Sequence, residues 1–140
     1  MSAFLDLLEK KILIADGAMG TLPQASGLKP GELPEVWNIT HPEVLIDIHT
    51  RYYDSGADFV STNTFGVNRY KLAELPSEYT LDQVLASAIN NANAAREKFT
   101  AKGQQKLVAL DVGPLGKLLK PLGDVSFDDA YNAFAEVISK

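Results

Sequence analysis

The 140-residue sequence contains no cysteine. Disulfides and thiolate metal ligands are therefore outside what this chain can supply by itself. Its two histidines, His41 and His49, stand eight residues apart and do not form a paired metal motif on one helix face. No apolar run approaches the roughly 20 residues that cross a bilayer. The opening stretch MSAFLDLLEKK carries acids and no cleavage signature, so no signal peptide is expected. Basic residues are outnumbered 13 to 18, giving a net charge of −5, and they are scattered. A phosphate-binding surface needs clustered Lys and Arg, so nucleic acid is not an expected partner. A Walker loop and a G-x-G-x-x-G turn are also missing; GAMGT at 17–21 has glycines three apart but no accompanying Lys. These absences leave a cytoplasmic protein with no membrane or nucleic-acid partner as the expectation.

What is present reads as an ordinary folded domain. The chain is 46% hydrophobic and 22% charged, and no low-complexity linker divides residues 1–140. Three short apolar runs stand out, at 11–15 (KILIA), 57–61 (ADFVS) and 106–111 (KLVALD). They are rich in Val, Ile and Leu and do not alternate, which predicts parallel strands covered on both faces. A helix is expected over 41–55, capped by Thr40, started by Pro42 and stopped by Gly56. Further helices are expected over 80–102 and 126–139, a short one over 68–75, and one at the N-terminus. Alternating strands and helices define an α/β fold with a parallel sheet. Two architectures fit: a small doubly wound sheet, which the length favours, and part of a (β/α)₈ barrel, which needs about 250 residues.

In either architecture chemistry gathers where strands end at their carboxyl side. The first run is followed by Asp16-Gly17-Ala18-Met19-Gly20-Thr21, the second by Thr62-Asn63-Thr64-Phe65-Gly66, and the third closes on Asp111 ahead of Val112-Gly113-Pro114. Two carboxylates, several hydroxyls, an amide and glycine-freed backbone N–H groups suit a small zwitterion. Asp16 would accept from an ammonium. The backbone of Gly17, Ala18, Met19 and Gly20 would hold a carboxylate. Thr62, Asn63 and Thr64 would fix orientation, and strand alternation puts Thr62 and Thr64 on one side, Ser61 and Asn63 on the other. Plainer readings stand beside these. Asp-Gly is a common turn, TNTF suits a hydroxyl ladder between strands, and GPLG suits a turn with proline presetting φ. His49 reads as a helix-surface or half-buried residue, Trp37 as a packing anchor for the long loop, and Tyr52-Tyr53 as helix packing.

Three long stretches carry a resemblance: DGAMGT at 16–21, PEVWNITHPEVLIDIHTRYYDSGADFVSTNTFG at 34–66, and VGPLGKLLKPLGDVSFDDAYNAF at 112–134. In this order they resemble the homocysteine S-methyltransferase family, closest to the N-terminal homocysteine-binding module of cobalamin-dependent methionine synthases. The resemblance implies the N-terminal portion, about three to four βα units, of a TIM (β/α)₈ barrel. It implies homocysteine as ligand, with Asp16 on its ammonium, the Gly17–Gly20 backbone on its carboxylate, and Thr62, Asn63, Thr64 and Asp111 lining the pocket. For the full-length parent it implies zinc, which deprotonates the homocysteine thiol, and methylcobalamin. The family's zinc ligands are cysteines on later strands, and this chain has none. The chain alone is therefore expected to lack methyltransferase activity and to need the remaining barrel segment, or a second chain, over its open edges. The alternative is a non-catalytic amino-acid-binding or assembly module derived from the barrel.

Overall fold

A computed structural model describes residues 3–74 and 78–139. At its centre, β1 (Phe59–Ser61) pairs in parallel with β2 (Leu107–Ala109), placing Phe59 opposite Leu107, Val60 opposite Val108 and Ser61 opposite Ala109. The run at 11–15 is extended and lies parallel to β1, but it forms a single bridge, Ala15 to Phe59, rather than the full strand expected. Its backbone explains why. Asp58 N–H donates to Ile14 O at 2.7 Å and Asp16 N–H to Phe59 O at 3.1 Å. The Ile14 N–H, however, goes to the Asp58 side chain at 3.0 Å, and Lys11 Nζ donates to the other oxygen of that carboxylate. A side chain thus takes the place of a longer ladder.

Two helices cover one face of this sheet. α4 (Pro42–Asp54) starts at Pro42, as its fixed φ favours, and ends ahead of Gly56, whose φ of 108° reverses the chain. Its N-cap is His41 with no side-chain cap; the Thr40 expected there ends the preceding short helix α3 (Trp37–Thr40), and its hydroxyl lies 2.8 Å from His41 Nδ1 and 3.3 Å from Val36 O. α6 (Leu81–Thr100) opens on a full capping box between Thr80 and Gln83. Tyr53 of α4, Val60 of β1 and Ala92, Ala95 and Phe99 of α6 form the central core. Ala88, Ala92 and Ala95, all buried at near-helical spacing, put small side chains on the inner face of α6, and α4 packs beside it.

The opposite face of the sheet is open. Phe4, from α1 (Ala3–Leu8), meets Phe59 edge to face at 6.1 Å. Beside it Ile12 is 90% exposed and Ile14 58% exposed. The expectation of strands covered on both faces is thus corrected: helices cover one side. The chain closes with α5 (Arg69–Ala73), capped by the Asn68 side chain, and α7 (Phe127–Ile138), where Ser126 Oγ accepts from Asp129 N–H. Leu75, in the short helix expected over 68–75, lies outside the described residues. α7 buries Ala130, Ala133 and Val137 and exposes Phe127, Tyr131 and Ile138 on its other side.

Candidate functional site

Asp16 leaves the first extended segment as it passes β1, and the next strand holds its carboxylate. Ser61 donates its N–H to Oδ2 at 2.9 Å and its hydroxyl to Oδ1 at 3.1 Å. The side chains of Asp16 and Ser61 therefore share the face of the sheet that the helices leave open. Partial burial raises the Asp16 pKa above the usual carboxylate range. The Ser61 bonds oppose that shift, and the negative charge of Asp111 adds to it. Burial raises Asp111 as well. Two carboxylates on one rim, each with its charged form disfavoured, make a place where a cation is welcome.

The turn after Asp16 lies over α4 and leads into the five-residue helix α2 (Thr21–Ala25). Gly17, Ala18 and Gly20 are exposed. Met19 turns its side chain against the cluster of Leu28, Trp37 and Leu45, so only its backbone faces the rim. Among the described residues no acceptor takes the backbone N–H of residues 17–20. The turn is braced from below: Tyr52 of α4 donates its hydroxyl to Ala18 O at 2.9 Å.

Thr62 and Thr64 are buried and bonded to each other at 2.7 Å. Thr64 Oγ1 donates to Asp111 O at 2.6 Å, and Asp111 N–H donates to Thr62 Oγ1 at 3.1 Å. Once Thr64 has given its proton to Asp111, the shared hydroxyl proton must come from Thr62. The circuit is closed, so these hydroxyls tie the end of β1 to Asp111, as a ladder would. Asn63 points the other way, donating to Pro34 O at 2.8 Å.

That second direction leads to a polar girdle that no motif singled out. Asn38 donates to both Glu35 O and Asn63 O at 2.8 Å, and Asn91 of α6 donates to Asn38 O at 2.9 Å. Gly66 N–H donates to Glu35 Oε1 at 2.6 Å. A Cβ at position 66 would overlap that oxygen, so a larger residue there must push the Glu35 carboxylate aside. Glu35 Oε2 is buried with no partner among the described residues. Trp37 anchors this loop as expected, buried against Leu28 and Leu45 and stacked on His41 at 4.2 Å. Glu35, Asn38 and Tyr52 were not singled out for the site, and Ser61 was named only with Asn63 as the alternative pair to Thr62 and Thr64; the one legible signal was the dense polar spelling of PEVWN and STNT around the strand end.

Among the described residues no three His, Cys, Asp or Glu side chains gather as a metal site, and no helix is long and apolar enough to cross a membrane.

Geometry thus defines an α/β protein with a short parallel sheet and an acidic, amide-bearing rim at its strand ends. The profile of the family described as homocysteine S-methyltransferase matches residues 13–139, and the chain belongs to that family. It is 30% identical over 138 residues to methionine synthase of Mycobacterium tuberculosis, a match covering 94% of this chain and 12% of that protein. The methionine synthase of Mycobacterium leprae is also 30% identical, with 11% of its length covered. Among solved structures, the metallated homocysteine methyltransferase MmuM from Escherichia coli superposes with a TM-score of 0.66 at 28% identity, covering 79% of this chain and 41% of that one. Its apo form matches with a TM-score of 0.66 at 27% identity, covering 94% of this chain and 45% of that one. The chain therefore spans a small part of the methionine synthases and under half of the methyltransferase structures.

Proposed function

We propose that this chain is the segment of a methionine synthase-type homocysteine S-methyltransferase that binds the amino-acid end of homocysteine. The observation that carries the reading is Asp16. Its carboxylate is oriented by two bonds from Ser61, and among the described residues no acceptor takes the N–H groups of residues 17–20 in the turn that follows. A zwitterion matches that polarity at both ends. Its ammonium meets Asp16, with the Asp111 carboxylate adding attraction, and its carboxylate takes the N–H groups of Gly17, Ala18, Met19 and Gly20. An arriving ammonium favours the charged form of Asp16, so binding lowers a pKa that burial has raised. Thr62, Asn63 and Thr64 act by holding the rim in shape.

The architecture we propose is the first part of a (β/α)₈ barrel in a cytoplasmic enzyme. Its open sheet face, with Ile12 and Ile14, and the apolar outer side of α7 are where the remaining barrel, on this or a second chain, would pack. Zinc and methylcobalamin belong to the full-length parent. The donor set here does not fit zinc, since the chain has no cysteine and no clustered ligands among the described residues. Thiol activation is therefore assigned to groups outside this chain, which alone is inactive in methyl transfer.

Calorimetric titration with L-homocysteine tests the reading. The chain should bind, and Asp16→Ala should bring binding below detection. Unchanged affinity in Asp16→Ala would remove Asp16 from the site, and an inert parent chain would remove the ligand.

A further inference from the structure

We propose that Tyr52 is a positioning residue for the turn at 16–20: from α4 it sets the direction of the Met19 N–H and so tunes affinity for a carboxylate it does not touch. The inference rests on the reading that this turn receives the carboxylate of an amino acid. Tyr52 Oη donates to Ala18 O at 2.9 Å, which draws that carbonyl down toward α4. The peptide joining Ala18 to Met19 is trans, and a trans peptide carries its C=O and N–H on opposite sides. Fixing the carbonyl downward therefore fixes the Met19 N–H upward, toward the rim, where no acceptor among the described residues takes it.

A second contact makes the brace specific. The Tyr52 ring lies so close to Gly17 that a Cβ there would sit 3.0 Å from Oη and 3.1 Å from Cε1. The turn thus rests on the phenol at two successive residues, through a hydrogen bond at Ala18 and through bare backbone at Gly17. Burial and the charge of Asp16 both raise the phenol pKa, so Tyr52 remains a donor over the working pH range. Simple helix packing is the competing role, and the ring does pack against the central core. Tyr52→Phe separates the two, because it keeps the ring and removes the hydroxyl.

The test uses the 140-residue chain, with L-homocysteine titrated calorimetrically and ¹⁵N relaxation recorded on the amides of residues 17–20. Tyr52→Phe should weaken homocysteine binding roughly three- to ten-fold, the range set by one neutral hydrogen bond. The heteronuclear NOE should fall at 17–20 and hold in α4 and α6, with little change in melting temperature. Gly17→Ala should show the same pattern, since its Cβ lifts the turn off the phenol. Affinity within two-fold of the parent, or an unchanged NOE at 17–20, overturns the role of Tyr52. If Asp16→Ala loses binding while Tyr52→Phe does not, Tyr52 alone is wrong. If the parent chain binds no homocysteine, the site reading falls, and the NOE of Tyr52→Phe still decides whether Tyr52 orders the turn.

Discussion

His49 should make this protein sensitive to mild acid. It sits on the buried side of α4 at 0% exposure, and neither ring nitrogen has a partner among the described residues. Burial alone lowers its pKa from 6.5 to about 4. The sign follows directly. Below pH 6.5 the unfolded chain takes up a proton that the folded chain refuses, so stability falls as pH drops toward the folded pKa. With those two values the loss is about 0.2 kcal/mol at pH 7, about 2 kcal/mol at pH 5 and about 3 kcal/mol near pH 4. Other groups titrate in the same range, so the quantity to measure is a difference. Urea unfolding of the parent and of His49→Leu at pH 7 and pH 5 should show the parent losing about 2 kcal/mol more than the variant over that interval. Leucine also removes two buried polar atoms without partners, so the variant should match or exceed the parent at pH 7. Parallel pH dependence in the two proteins would mean that His49 titrates normally and is not enclosed as described.

Gly66→Ala should destabilise the chain by about 2–4 kcal/mol in urea unfolding, because the new Cβ displaces the Glu35 carboxylate and strands a buried N–H. In the background of Glu35→Ala the same change should do far less, and additive effects would refute the clash. Asp58→Ala should release residues 11–15 from β1, seen as faster hydrogen exchange of the Ile14 amide and a loss of about 1–3 kcal/mol. Bonds from Lys11 and the Ile14 N–H hold the Asp58 pKa below the usual carboxylate range. Its contribution is therefore present above the ordinary carboxylate pKa and fades as pH falls through the lowered one. Protection of Ile14 that persists unchanged down to pH 2 would contradict that anchor.

The legible parts of the fold were those governed by local chemistry. Pro42, Gly56, Thr80 and Ser126 mark helix ends through φ restriction and capping, and helices form at Pro42–Asp54, Leu81–Thr100 and Phe127–Ile138. Expected strands at 57–61 and 106–111 shrink to Phe59–Ser61 and Leu107–Ala109. Thr40 misled because it closes a short helix of its own, Trp37–Thr40, which makes His41 the N-cap of the next one, a tertiary arrangement that capping patterns do not encode. The extended run at 11–15 misled for a related reason. Its composition suits a doubly covered strand, but coverage is a property of neighbours, and here Ile12 and Ile14 stay exposed on the open side.

The rim was legible in composition and not in direction. Asp16, Thr62, Thr64 and Asp111 do meet at one end of the sheet, as strand ends in a parallel α/β fold must. Strand alternation separates Ser61 from Thr62 but does not say which side faces the ligand. Hydrogen bonding shows instead which of these side chains are already engaged within the chain. Thr62 and Thr64 close a circuit with Asp111, Asn63 reaches back to Pro34, and Ser61 is left to orient Asp16. The residues with the most conspicuous polar spelling are thus occupied in holding the frame. Among the described rim residues, the Asp16 and Asp111 carboxylates and the backbone N–H groups of the turn at 17–20 keep hydrogen-bonding capacity. In a chain of this kind a motif marks where the rim is, and only the count of satisfied donors and acceptors shows which part of it still has something to offer a ligand.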